Sequence, residues 1–170
     1  MKRTVLGILA LATFTFAPPA VGEDIAGWQE AKWGMTPSDV QKVLSYPTSV
    51  ADLAKVCRVP CNEGEALELD DYELNGQHFI VRLWFAKPDL RLRAVSMYAK
   101  QLDDANGNEA FTKMKSFLEA SYGTPKSIAL KLGDFVISWT QPSTTITLYS
   151  ATNNLTIVYE QRSDKENGKS

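Results

Sequence analysis

Apolar and polar residues follow two different periods along this chain, and the change of period divides it into elements. At Trp33-Gly34-Met35-Thr36-Pro37-Ser38-Asp39-Val40 several helix-start signals coincide. Thr36 suits the N-cap, Pro37 the first helical position, and Asp39 the third, from which its carboxylate can reach back to the cap. Met35 and Val40 flank the cap as a hydrophobic staple. Val40, Val43 and Leu44 then form one stripe, and Pro47 forbids continuation. The spacing predicts a short helix over 37–45. A less regular helical pattern covers 50–56.

From Ala66 the period becomes two. Leu67 and Leu69 alternate with Glu68 and Asp70, and Asn75-Gly76 supplies the pair that a type I′ hairpin turn favours. The return strand, His78 to Phe85, puts Phe79, Val81, Leu83 and Phe85 on one face. A Lys87-Pro88-Asp89 turn leads to a third strand, about Leu90 to Ala99. Asn106-Gly107-Asn108 breaks the chain. Phe111, Met114, Phe117, Leu118 and Tyr122 then fall at helical spacing over 108–122, with Gly123 and Pro125 ending the helix. Four strands are expected after it: Ser127–Lys131, Phe135–Thr140, Thr144–Tyr149 and Leu155–Tyr159. On the last two, Ile146, Leu148, Leu155, Ile157 and Tyr159 point one way and threonines mostly the other. The pattern predicts one α+β domain over 23–162, with helices packed on an antiparallel meander sheet. The shared order of the halves admits two helix-plus-meander units.

The first 22 residues do not belong to that domain. Lys2 and Arg3, the apolar run Val5–Phe16, and Ala20-Val21-Gly22 after two prolines follow the order of a cleavable signal peptide, with a cut before Glu23. The run is too short for a membrane span, which takes about 20 apolar residues. No cysteine follows it to carry a lipid. The expected location is therefore periplasmic or secreted. Residues 163–170 (SDKENGKS) lack apolar groups and read as a disordered tail.

Losing 1–22 removes two of the 18 basic and none of the 20 acidic residues, leaving a formal charge of −4. That balance argues against a nucleic-acid partner, which demands a concentrated basic face. Export also changes the reading of Cys57 and Cys61 in CRVPC. In an oxidising compartment a disulfide is the expected state, with a thiol redox or copper-binding pair as the alternative.

Catalytic chemistry has little to draw on. His78 is the sole histidine, beside the hairpin turn, where an exposed polar role is expected ahead of a general base. No nucleophile triad, phosphate loop or metal-ligand spacing is present, so no catalytic residue, metal or cofactor is assigned. The acidic run Glu63, Glu65, Glu68, Asp70, Asp71 and Glu73 lacks the offsets of a calcium loop and reads as a charged edge that repels strand pairing. Arg82, Arg91 and Arg93 are placed to pair with it. Asn154 fits a glycan acceptor pattern, but a hairpin turn accounts for it.

The second face of the 78–85 strand is less ordinary. Ile80 and Trp84 point away from Phe79 and its partners, so both faces carry large apolar groups. Coverage by the helices, with Trp28 and Trp33 packed there, is the expectation. The functional alternative is a patch that binds another envelope protein.

Gly34-Met35-Thr36, followed by Val40, Leu44 and Pro47, resembles the small lipoprotein subunit of the bacterial outer-membrane β-barrel assembly machinery. The resemblance is confined to residues 34–47. Ser45 stands where that family has glycine, the lipidation cysteine is missing, and the chain is too long for one such module. Its length is similar to the tandem β-lactamase-inhibitor-protein-like architecture, in which a helix-plus-meander unit occurs twice. Trp28 with the Trp33-Gly34-Met35-Thr36 opening also resembles many uncharacterised exported bacterial proteins. These resemblances imply a non-enzymatic, protein-binding role in the cell envelope.

Overall fold

The computed structural model describes residues 24–52, 63–102, 107–131, 134–151 and 154–163. The expected leader, Cys57 and Cys61, and the tail beyond Ser163 lie outside them. The first described element is a small hairpin, β1 (Gly27–Trp28) and β2 (Ala31–Lys32). Gly27 is required there, because a Cβ would run into the Ala31 carbonyl of the facing strand. Helix α1 (Pro37–Val43) follows with the capping box in place: Asp39 N–H donates to Thr36 Oγ1 (3.3 Å) and Thr36 N–H to the Asp39 carboxylate (3.4 Å). The bonds from Thr36, then Lys42, hold the Asp39 carboxyl below its ordinary pKa.

The rest is dominated by strands. β3 (Ser49–Val50), β4 (Glu63–Leu74), β5 (Gln77–Ala86) and β6 (Arg91–Ala99) precede helix α2 (Gly107–Tyr122). β7 (Ser127–Lys131), β8 (Asp134–Thr140), β9 (Thr144–Ala151) and β10 (Asn154–Gln161) follow it. The β4–β5 turn has Asn75 and Gly76 at φ 51° and 77°, the left-handed pair that a type I′ turn requires. All eight strands from β3 onward join one antiparallel sheet in the order β3-β4-β5-β6-β10-β9-β8-β7. The two meanders meet where β6 pairs with β10, Met97 facing Ile157 and Val95 facing Tyr159.

One face of this sheet, the inner face, carries the core. An unbroken row of cross-strand neighbours runs Leu69, Val81, Met97, Ile157, Leu148, Ile137, Ile128, and all but the last are at most 2% exposed. Above it lie Val40 and Leu44 at the α1 end, Met114 and Leu118 of α2, and Trp28 and Ala31 of the small hairpin. Fully burying each such side chain stabilises the fold by about 1.5–3 kcal/mol relative to exposure. The segment before α1 ties distant strands together. Asp24 Oδ1 accepts from Ser143 N–H (2.8 Å), the Thr144 hydroxyl donates to the Ile25 carbonyl, and Gly34 N–H donates to the Leu92 carbonyl (3.0 Å).

The α+β expectation is thereby corrected. Strand takes 52% and helix 19% of the described residues, which hold only two helices, so the fold is mostly β, built on one large sheet. Three physical facts account for the difference. The strands outrun the alternation that marks them, β4 reaching 12 residues from Glu63. The meanders fuse through β6 and β10 into a single sheet, a long-range pairing that local periodicity does not encode. Val50, placed in a helix by its pattern, pairs instead with Leu67 as part of β3.

Candidate functional site: the open face of the sheet

On β5 the sheet sorts side chains strictly. Phe79, Val81, Leu83 and Phe85 are 0% exposed on the inner face, whereas Ile80, Arg82, Trp84 and Ala86 are only half-buried on the other. Trp28 and Trp33, expected to cover Ile80 and Trp84, do not lie there. Trp28 belongs to the core cluster, and Trp33 Nε1–H donates to the hydroxyl of Thr144, a fully buried residue in line with Ile146 and Leu148 (2.8 Å). The described helices and the small hairpin bury their apolar residues in the inner core. Among the described residues, then, neither the tryptophans nor the helices supply the expected cover, and Ile80 and Trp84 stay half-buried.

Three rows of cross-strand neighbours define that face. The first runs Glu68, Arg82, Ser96, Val158, Thr147, Ser138. The second runs Ile80, Tyr98, Thr156, Tyr149, Val136, and the third Ala66, Trp84, Ala94, Glu160, Thr145. Trp84 thus stands between two alanines, Ala66, which is fully buried, and Ala94, which is half-buried. On the half made by β4, β5 and β6 lie Trp84, Tyr98, Ile80 and Arg82; the half made by β8–β10 carries hydroxyls around Tyr149, Val136 and Val158.

The polar groups of this face are satisfied sideways, within the sheet. Arg82 Nε–H donates to Glu68 Oε2 at 2.7 Å, and its guanidinium carbon lies 4.8 Å from the centre of the Tyr98 ring. Trp84 Nε1–H donates to Ser96 Oγ (3.1 Å), and the hydroxyls of Ser138 and Thr147 lie 3.3 Å apart. Around Arg82 and Trp84 the charge is paired and the donors are bonded, so covering that part of the face costs little, and Trp, Tyr and Arg are the residue types that dominate binding hot spots. Sequence reading found Ile80 and Trp84, and the same alternation puts Arg82 between them, but it missed Tyr98 and Tyr149 as their neighbours. The alternation of β6 and β9 placed each on its own strand, and only the register joins them.

His78 sits elsewhere, at the hairpin end. A bulge between Leu69 and Tyr72 turns Asp71 toward it, and Nδ1 of His78 lies 3.0 Å from Asp71 Oδ1. That hydrogen bond is the main cause of the lowered Asp71 pKa, with Lys100 Nζ adding to it from 3.6 Å. Lys100 also donates to the Asp70 carbonyl (3.0 Å), so the cluster fastens the bulge. Both His78 and Asp71 are exposed, and among the described residues no hydroxyl or thiol is hydrogen-bonded to the ring. Among the described residues no group of three or more His, Cys, Asp or Glu side chains converges to hold a metal ion, and no helix is long and apolar enough to cross a membrane. The chain matches no protein-family model, no curated protein and no solved structure.

Proposed function

We propose that this chain is an exported, non-enzymatic protein-interaction module of the cell envelope, and that it binds its partner, another envelope protein, on the open face of the sheet. The observation that carries the reading is the company of Ile80 and Trp84. They share one face with Tyr98 and with an Arg82 already neutralised by Glu68, the mixture of residue types and satisfied polar groups that a protein interface uses. The three-part leader over 1–22 supports export, and the helix-start resemblance around Gly34-Met35-Thr36 supports an envelope setting.

Photo-crosslinking in intact cells tests it. A crosslinking residue at position 80 is expected to give one discrete adduct that Trp84→Ala diminishes. The same residue at Ser116, an exposed position on α2, serves as the reference. Equal or absent adduct formation at the two positions defeats the proposal.

A further inference from the structure

The two edges of the sheet are not alike, and the difference points to a second surface independent of the open face. At one edge, among the described residues, β3 pairs Ser49 and Val50 with β4, and Ala51 adds one backbone bond to Ala66. The length of β4 beyond that pairing carries Glu65 and Glu73, charges that repel another strand, besides Asp70 and Asp71, which Lys100 partly neutralises. At the other edge β7 runs for five residues, Ser-Ile-Ala-Leu-Lys, with its single charge at the end. Alternate amide and carbonyl groups of an edge strand have no partner within its own sheet.

The apolar row of the inner face does not stop where its cover stops. It continues from Ile137, which is 1% exposed, to Ile128 on β7, which is 62% exposed. Next to it Phe135 is 44% exposed and stacks on Phe111 of α2, with ring centres 5.3 Å apart. Among the described residues, an unpaired backbone edge and an uncovered end of the core row therefore coincide at β7.

We infer that β7 pairs with β7 of a second copy of this chain, antiparallel about a two-fold axis near Ala129, joining two sheets into one. The geometry favours a second copy over an unrelated strand. Centring on Ala129 puts Ile128 in register with Leu130 of the other copy, and Ser127 with Lys131, so no like charges face each other. A two-fold axis perpendicular to the sheet keeps both inner faces on the same side. The row Ile137–Ile128 of each copy then continues, by register, through Leu130 to Phe135 of the other. Because the far edge is a two-residue strand beside acidic residues, pairing ends at two copies rather than growing into a fibre.

Sedimentation velocity of the purified protein over a concentration series, with hydrogen exchange read on β7, tests the inference. The expected result is a monomer–dimer equilibrium. Ile128→Lys should weaken it about tenfold or more, Val50→Lys at the opposite edge should leave it unchanged, and β7 amides should gain protection as the dimer fills. A monomer at every concentration overturns it, as does a dimer indifferent to Ile128→Lys, a dimer whose β7 amides exchange as in the monomer, or a ladder of higher oligomers. The exchange measurement on the unaltered chain stands even if a variant folds poorly. Loss of the open-face adduct in cells has no bearing on it, since Ile80 and Ile128 lie on different surfaces.

Discussion

Phe79, Val81, Leu83 and Phe85 are shut away from solvent, while Ile80, Arg82 and Trp84, interleaved with them on β5, stay partly open. Hydrophobicity does not explain the division, since Trp84 is larger than Val81. Direction of bonding does. Inner-face polar groups bond upward into the covering layer: Tyr72 with Gln29 of the hairpin, Trp139 with the Gly123 carbonyl beyond α2, Tyr159 with Tyr122 of α2. Open-face groups bond along the sheet, as Arg82 does with Glu68 and Trp84 with Ser96. The first arrangement fixes a lid over the sheet; the second meets the polar requirements of Arg82 and Trp84 without a covering layer.

The two faces differ most in what truncation costs. Phe85→Ala should destabilise the fold by about 3–5 kcal/mol in chemical denaturation, because a buried aromatic leaves a cavity. Trp84→Ala should cost about 1 kcal/mol, chiefly the bond to Ser96 and partial burial. Equal losses would erase the distinction.

A smaller effect separates the faces by pH. Burial first, and then the neighbouring Tyr46 and Tyr122, push the Tyr72 hydroxyl from 10.0 up to about 12. The folded pKa is the higher one, so the neutral phenol's contribution is complete below pH 10.0 and is lost as pH rises toward about 12. It is on the order of 2 kcal/mol. Denaturation repeated across that alkaline range should show stability falling, and Tyr72→Phe should flatten the fall. A profile identical in the two proteins would remove Tyr72 from the account.

The smallest effect concerns the open face alone. A double-mutant cycle with Arg82→Ala and Glu68→Ala should return a coupling of about 1 kcal/mol, above the median for exposed pairs because both side chains are largely sheltered. A value near zero would mean that Arg82 is held by Tyr98 rather than by Glu68.

The sequence discloses local chemistry well. Thr36 and Asp39 form the expected box, Gly123 takes the left-handed φ of a helix stop (80°), and the Asn75-Gly76 turn stands where its pattern puts it. These features depend on residues a few positions apart. What escaped the sequence depends on distant ones. Alternation shows that Ile80 and Phe79 face oppositely but not which side receives the helices, since both sides of β5 are apolar. The hairpin at Gly27–Lys32 escaped because each of its strands is two residues long, too short to show a period. The candidate site was half-legible for the same reason: Ile80 and Trp84 share one strand, whereas Tyr98, Thr156 and Tyr149 join Ile80 only through the order β5-β6-β10-β9.

The bonds of Asp24 and Ile25 to the β8–β9 turn bear on the order in which the molecule can assemble. They close a loop of 119 residues in sequence separation, among the longest the described chain contains. A polypeptide that is synthesised or threaded beginning with its N-terminus has residue 24 in place long before Ser143 arrives to meet it. Closure over such a distance carries a large entropic cost and slows folding. The clasp is thus expected to close late, after β8 and β9 have paired.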